Sequence, residues 1–291
     1  MGKNLFIAEK PSVAREFARV LQLNTSNRDG YMESDQAIVT WCVGHLVTMS
    51  YPEVYDEKYK RWSFDTIPFI PDQFKYEVID SVKKQFQIVS GLLNRADVDT
   101  IYVCTDSGRE GEYIYRLVEQ EAHVTGKVRK RVWIDSQTEE EIKRGIREAR
   151  DLSAYDALGA AAYLRAKEDY LMGINFSRAL TLKYGNGIKG FLKADRAVVS
   201  VGRVMTCVLG MVVKREREIR DFVKTPFYRV VMDMEIQGRS LVCDWKATEK
   251  SRYFNSPLLY KENGFKEKKD AEELVGILST ESPCQAVIEK I

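Results

Sequence analysis

The first 150 residues alternate between short apolar runs and amphipathic stretches, and this alternation predicts strands and helices in turn. Between the runs, apolar residues recur at helical spacing, for example at Val13, Phe17 and Val20. Strands that alternate with helices favour a parallel α/β sheet of the Rossmann-like kind. The predicted strands are residues 5–8, 36–43, 101–104 and 128–134.

The pattern changes twice in the second half of the chain. Residues 156–183 are rich in alanine and leucine at helical spacing, a loop is expected at 185–190, and 204–218 predicts another long helix. From residue 227 onward, alternating apolar and polar positions with a turn at Gly238 predict a β-rich region. We therefore expect an α/β domain, part of a helical domain and part of a β-rich domain, at 1–153, 154–222 and 223–291.

The composition is that of an ordinary water-soluble protein, with 44% hydrophobic and 30% charged residues among 291. No apolar run is long enough to cross a bilayer, and we expect no signal peptide, because residues 1–4 lead directly into the first predicted strand. The five cysteines are scattered and form no Cys-x-x-Cys pair, which argues against a zinc site or a disulfide framework. We expect a cytoplasmic monomer without a membrane partner.

The net charge of +2 conceals an uneven distribution. Residues 165–224 contain 13 Lys and Arg against 6 Asp and Glu, a difference of +7, so the remainder of the chain carries −5. Such asymmetry is typical of proteins that bind a polyanion, although a solvated charged face gives the same count.

Acidic residues crowd the turn after the predicted strand 101–104. Asp106, Glu110 and Glu112 lie within seven positions, with Arg109 among them. In open α/β sheets, ligands bind beyond the carboxyl ends of the strands, where this turn is expected. Several carboxylates there would repel one another unless a cation held them, and their hard oxygen atoms suit Mg²⁺.

Helix capping offers an alternative explanation for these acidic residues. Ser107 with Glu110 fits a capping box, and carboxylates in a first helical turn favour the helix dipole without any metal. Ser12 is likewise placed to cap the helix after the first strand, and Thr138 with Glu141 repeats the capping-box pattern.

A second acidic strand end follows the first predicted strand, at Glu9 and Lys10. Glu-Lys after one strand and Asp-x-x-x-Glu after a later one resemble the Toprim domain. That domain is shared by type IA and type II topoisomerases, bacterial primases and some nucleases, and its carboxylates bind Mg²⁺. Without this resemblance, Glu9 and Lys10 are an exposed ion pair of little energetic weight.

Further blocks resemble the type IA DNA topoisomerases, and among them the topoisomerase III branch. The similar blocks fall in the family's order and extend to about Tyr228. They are residues 5–12, 41–46, 105–112, 165–175, 177–179 and 200–204.

The resemblance implies roles for individual residues. Glu9 would move a proton at the leaving 3′ oxygen, and Lys10 would balance charge on the scissile phosphate. Glu9, Asp106 and Glu110 would hold Mg²⁺. The single-stranded DNA contacts would include Arg178, Ser200, Gly202 and Arg203.

Structural roles are expected for four further features of the sequence. Arg109 and Glu112 are expected to orient the metal ligands or to pair with each other. His45 is expected to be a hydrogen-bonded structural residue, since a histidine metal site needs partners and only His123 remains. The aromatic loop around Trp62 is expected to pack, although it could also stack bases.

The sequence departs from the family pattern at three places. Gly108 occupies the position of the usual middle Asp, which predicts a metal site with less charge. Met205 and Cys207 replace a common Gln and Pro in a DNA-contacting segment. None of the fifteen tyrosines lies in a Tyr-Pro-Arg-Thr-like segment, and the last predicted strand, 285–291, runs to the final residue. We therefore expect an N-terminal piece whose nucleophilic tyrosine lies beyond it.

Two other function classes stay open on the sequence alone. A nuclease or primase of the Toprim class would share the acidic site but not the helical blocks. A nucleic-acid binding module without catalytic activity would keep the basic region, and its acidic residues would serve only as helix caps.

Overall fold

The structure is a computed structural model, and it describes residues 2–236 and 238–280. The chain divides into two compact units, Met1–Gly210 and Met211–Ile291. This boundary falls inside the predicted helical domain, and the predicted division into three domains stays a prediction. Among the described residues, no helix has both the length and the apolar character needed to cross a membrane. The predicted strand 285–291 lies outside the described residues.

The first unit is organised around a seven-stranded β-sheet. The strands of this unit are β1 (Lys3–Ala8), β2 (Ser26–Arg28), β3 (Tyr31–Glu33), β4 (Ala37–Trp41), β5 (Val47–Met49), β6 (Tyr76–Val78), β7 (Val98–Cys104), β8 (Val128–Arg131) and β9 (Arg150–Asp151). The sheet has the order β2-β3-β4-β1-β7-β8-β9, and β5 pairs with β6 separately. The central strands β4, β1, β7 and β8 run parallel, whereas both edges are antiparallel. The predicted parallel α/β sheet is confirmed.

Helices cover both faces of this sheet. The first four are α1 (Pro11–Val20), α2 (Lys83–Leu93), α3 (Arg109–Glu121) and α4 (Glu139–Arg147). On one face, Phe17 of α1 and Ile142 of α4 pack in a core with Phe6. On the other face, Leu117 of α3 packs in a core with Leu5. Neighbouring residues of β1 thus enter opposite cores, as the two-residue period of a strand requires.

The helical part consists of α5 (Asp156–Leu192) and α6 (Arg203–Arg220). The predicted loop at 185–190 is wrong, because α5 continues through it and the connecting segment is 193–202. That segment returns along α5 through hydrogen bonds from the Val201 N–H to Ser177 Oγ, 2.8 Å, and from the Val199 N–H to Thr181 Oγ1, 2.9 Å. A Cβ at Gly185 would lie 3.2 Å from Ala197 O. Glycine therefore serves close packing at this position and does not end the helix.

Two predicted helix caps are wrong. Helix α1 begins at Pro11, so Ser12 lies inside the first turn, and proline at the first helical position defines the start. Thr138 precedes α4 but makes no side-chain cap. Glu141 pairs with Arg144 instead, three residues along the same helix.

The segment between β5 and β6 is the irregular, packed loop that its prolines and aromatic residues predict. It contains short 3₁₀ turns at Pro52–Val54, Glu57–Lys60 and Phe64–Thr66. Phe69 is 2% exposed and packs edge-on against Tyr55 and Tyr59. The Asn175 side chain of α5 accepts from the Phe69 N–H at 2.6 Å and donates to the Phe69 carbonyl at 2.9 Å. The loop is therefore fixed to α5 through its buried aromatic residue.

The second unit is small and β-rich. Its elements are β10 (Val231–Ile236), β11 (Arg239–Asp244), β12 (Leu259–Lys261), β13 (Gly264–Phe265) and α7 (Lys268–Thr280). Strands β10 and β11 form the predicted antiparallel hairpin, with Gly238 at a φ of +72° where glycine avoids strain. Strands β12 and β13 form a second, short antiparallel pair. Its Phe265 is fully buried and stacks on Trp245 at 5.3 Å between ring centroids.

Candidate active site

The two acidic strand ends lie together at the edge of the sheet that is formed by the carboxyl ends of its parallel strands. Strands β1 and β7 are parallel neighbours, and Ala8 pairs with Cys104, so the residues that follow these two leave the sheet side by side. Lys10 Nζ lies 3.7 Å from Glu9 Oε1 and 3.9 Å from Asp106 Oδ2. The Asp106 N–H also donates to Glu9 Oε2 at 3.4 Å. Three of the predicted site residues are thus brought together by strand register.

Glu9 is the buried member of this group, at 8% exposure. The buried Cys42 lies near it, and burial together with the Glu9 charge raises the pKa of the Cys42 thiol to about 12. That thiol therefore stays neutral at physiological pH. Lys10 is more than half exposed, so its ammonium group can reach a ligand that approaches the edge.

Glu110 lies at the same edge but is bonded to a histidine. Its Oε1 is 2.6 Å from His45 Nε2, and the Glu110 side chain is 73% exposed. The His45 ring also packs edge-on against Tyr113 at 6.0 Å between centroids. His45 is hydrogen-bonded, in agreement with the sequence expectation, and its partner is one of the predicted metal ligands.

The three predicted carboxylates have the right chemistry for a divalent cation, but they are not grouped closely enough to bind one together. Three carboxylates supply the hard oxygen atoms that Mg²⁺ binds. Within residues 2–236 and 238–280, however, no three Asp, Glu, His or Cys side chains are grouped closely enough to hold a metal ion. Lys10 lies near Glu9 and Asp106, and His45 holds Glu110. Metal binding by all three carboxylates therefore requires Glu110 to move closer to Glu9 and Asp106.

The turn that carries these residues is not closed by the capping box that the sequence allows. Ser107 Oγ accepts a hydrogen bond from the Ile134 N–H at 2.9 Å, and Gly108 is the N-cap of α3 without a side-chain cap. The acidic residues are therefore not explained as caps. A Cβ at Gly108 would meet nothing within 4 Å, and its φ of 178° is open to any residue.

Glu112 and Arg109 do not pair with each other. Glu112 is fully buried and accepts hydrogen bonds from Arg131 Nε at 2.9 Å and Arg116 Nε at 2.8 Å. Arg109 instead lines a cavity of about 160 Å³ between α3 and α5, together with Glu110, Arg165 and Asp169.

Sequence reasoning missed Arg131. It is one of three consecutive basic residues, Arg129 to Arg131, and only Arg131 is completely buried. Successive residues of a strand point to opposite faces of the sheet, and the sequence alone does not say which face of β8 is covered. The only signal was a charged residue inside a predicted strand.

The predicted DNA contact Arg203 is held by carboxylates of its own unit. Its guanidinium donates to Asp169 Oδ1 at 2.8 Å and to Glu168 Oε2 at 2.7 Å, and these hydrogen bonds raise the pKa of Arg203. Ser200 is exposed and Gly202 half-buried in the segment that precedes α6. These three residues therefore lie together, beside α5.

Arg178 lies elsewhere on α5 and is buried, at 4% exposure. Its guanidinium carbon sits 5.3 Å from the Trp62 ring centroid, beneath the aromatic loop. Among the described residues its Nη1 atom has no hydrogen-bond partner, and burial lowers the pKa of the guanidinium. Arg178 is thus not on an open surface.

Other cations near the end of α5 are both exposed and unpaired. Within the described part of the chain, no ion pair involves Lys183, Lys189, Lys193 or Arg196. These four residues belong to the basic stretch that the charge count identified. The charge count alone did not show which of the cations in that stretch lack an ion-pair partner.

Comparison with known proteins extends this picture. A family model described as Toprim domain matches residues 4–136, and one described as DNA topoisomerase matches residues 153–291. The chain is 40% identical over 255 residues to DNA topoisomerase 3 of Bacillus subtilis, covering 88% of this chain and 33% of that protein. It is 42% identical over 233 residues to DNA topoisomerase 3 of Shouchella clausii, covering 80% and 30%. The chain thus spans about a third of the length of the curated relatives it matches.

Proposed function

We propose that this chain, which belongs to the topoisomerase III-like type IA DNA topoisomerases, binds single-stranded DNA and Mg²⁺ for strand cleavage, passage and religation. The observation that supports this most is the meeting of Glu9, Lys10 and Asp106 at one sheet edge. Two adjacent strand ends supply an acid, a cation and a second carboxylate within one small volume. The proposal concerns one part of that reaction, because the chain spans about a third of the length of its relatives.

Glu9 and Lys10 have distinct roles in this proposal. Cleavage leaves a 3′ oxygen that needs a proton, and religation needs that proton removed. The Glu9 carboxyl is buried and held by the Asp106 N–H, so it can exchange the proton from a fixed position. The Lys10 side chain is more than half exposed, so its ammonium group is accessible to the negative scissile phosphate.

Glu9, Asp106 and Glu110 would hold the cation. When bound, Mg²⁺ would supply positive charge next to the phosphate oxygens. Glu110 would have to move closer to Glu9 and Asp106, and the absence of a carboxylate at position 108 predicts weak binding.

Single-stranded DNA would follow the basic helical part. Arg178, Ser200, Gly202 and Arg203 stay the predicted contacts, and phosphate contacts of this kind position a strand without reading its sequence. Arg203 would exchange its carboxylate partners for a phosphate, and Arg178 would be reached only if the residues that bury it, Trp62 among them, moved aside. A cytoplasmic location and a monomeric state stay predictions.

The attacking tyrosine is proposed to come from outside these 291 residues, since none of the fifteen tyrosines has the required context. Transesterification needs a positioned tyrosine oxygen, and Glu9 and Lys10 offer no substitute. We therefore expect this chain to bind single-stranded DNA without cleaving it.

The test incubates the chain with Mg²⁺ and end-labelled single-stranded DNA, followed by denaturant. Bound but intact DNA is expected. A protein-linked strand would show that one of the present tyrosines is the nucleophile. Hydrolysis that disappears in Asp106→Asn would favour the nuclease alternative.

A further inference from the structure

The main chain of Asp106 is held by groups that take no part in the proposed chemistry. Arg131 Nη2 donates to the Asp106 carbonyl at 2.7 Å. The first turn of α3 also approaches so closely that a Cβ at Gly111 would lie 2.1 Å from the same oxygen. This carbonyl therefore has almost no freedom to move.

Arg131 is unusual because it is completely buried. Its Nη1 donates to the carbonyls of Thr105 at 2.7 Å, Val132 at 2.9 Å and Val103 at 3.1 Å, and its Nε donates to Glu112. Only a planar group with several donors in fixed directions can satisfy these acceptors together. Arg131 thus joins the ends of β7 and β8 to the start of α3.

Glu112 completes the arrangement by balancing the buried charge. Both of its oxygens are used, one by Arg131 and the other by Arg116, and its side chain has no exposed surface. A buried charge without such a partner would be strongly destabilising. Neither Arg131 nor Glu112 can reach a ligand from this position.

We propose that Arg131 is a positioning residue, which fixes the carboxylate of Glu9 and the acidic turn through the main chain of Asp106. The link is the Asp106 N–H, which donates to Glu9 Oε2 at 3.4 Å while the carbonyl of the same residue is bound by Arg131. This inference rests on the proposed function of Glu9 and Asp106. The buried Arg131 guanidinium, which contacts no substrate, would thus maintain the geometry of that site.

The experiment compares Arg131→Lys with a matched control, Val118→Ala. Lysine keeps the charge but cannot reach all the acceptors. Val118 is fully buried in the core on the same helix as Glu112, so its truncation lowers stability without touching Asp106. Gly111→Ala is a second test variant, because a methyl group there displaces the Asp106 carbonyl without a change in charge.

The first measurement is hydrogen exchange of the Asp106 amide, corrected for each variant's global stability. In Arg131→Lys or Gly111→Ala we expect exchange about tenfold faster than in the wild type, whereas Val118→Ala should match the wild type. Exchange at the wild-type rate in the folded test variants would overturn the proposal. So would an equal acceleration in Val118→Ala.

The second measurement is Mg²⁺ titration by calorimetry. Loss of an outer-shell contact typically weakens metal binding by about 10–100-fold, and we expect this in Arg131→Lys but not in Val118→Ala. Failure of the wild-type chain to bind Mg²⁺ would count against the metal part of the proposed function. The exchange measurement would still decide the role of Arg131, so the two failures are distinguishable.

Discussion

The acidic sheet edge and the basic end of α5 carry opposite charges. They also differ in whether their charged side chains have partners within the protein. At the edge, every predicted carboxylate has a basic partner or a main-chain donor, and the layer beneath it is buried. At the end of α5, four exposed cations have no ion-pair partner within the described residues. The buried residues of the edge, Glu9, Arg131 and Glu112, are therefore fixed, whereas the cations at the end of α5 are free to meet a ligand.

This difference corresponds to two physical tasks. Proton transfer and charge stabilisation depend on groups held in place before the ligand arrives. Attraction of a polyanion depends on net positive charge that no internal carboxylate cancels. Arg203 lies between these extremes, because it is exposed but already paired with Asp169 and Glu168.

The largest expected effect follows removal of one partner of the buried Arg131–Glu112 pair beneath the edge. Glu112→Ala leaves the Arg131 charge without its carboxylate, and we expect a loss of about 3–5 kcal/mol in the free energy of unfolding. Urea denaturation measures it. The control Glu139→Ala breaks an exposed pair with Lys143 and should cost less than about 1 kcal/mol. Equal losses would show that the edge is no more fixed than the surface.

Removal of the free cations tests the other region. In the triple variant Lys189→Gln, Lys193→Gln and Arg196→Gln, single-stranded DNA should bind more weakly. The slope of log affinity against log salt should fall by about 2, since each lost contact removes about 0.7. Fluorescence anisotropy at several salt concentrations measures this.

Arg203→Gln is the matched control for that triple variant. Arg203→Gln should change the salt slope by less than the value of about 0.7 expected for one free cation, because Arg203 must first give up two carboxylates. A larger effect in Arg203→Gln would mean that paired cations, not free ones, meet the DNA.

A smaller effect is expected from one additional carboxylate at the edge. Gly108→Asp restores the charge that the family pattern has there, and the open space at Gly108 accommodates the side chain. We expect tighter Mg²⁺ binding by calorimetry, because affinity rises with the number of charged ligands. Gly108→Asn, with similar shape but no charge, should give little gain. No difference between the two would argue against a shared metal site.

The smallest effect concerns a half-buried ion cluster at the opposite, amino-terminal end of β1. Hydrogen bonds from Arg95 and Lys3 lower the pKa of Glu33 below its ordinary value of 4.5. The stabilisation is therefore complete above that value and is lost as pH falls through the lower, folded-state pKa. Glu33→Gln should cost about 1 kcal/mol at pH 7 and progressively less in acid. A cost that does not change with pH would exclude this cause.

The sequence predicted the scaffold of the site better than its contacts. The strands before Glu9 and Asp106 could be placed because short apolar runs have few alternatives in an α/β protein. The capping assignments failed at Ser12, Ser107 and Thr138, because a hydroxyl near a helix start can bond elsewhere, as Ser107 does with the Ile134 N–H. Local patterns therefore located the turn, while nonlocal partners determined its bonding.

The sequence by itself indicated the resemblance to type IA topoisomerases, the α/β architecture and the acidic and basic stretches, because motif order, apolar periodicity and charge count are properties of the chain alone. Only the tertiary structure decided that β1 lies beside β7, that Glu110 is bonded to His45, and that Arg131 and Arg178 are buried while Lys189 is free. Burial and pairing depend on which distant residues pack against a side chain, and no local pattern encodes those neighbours.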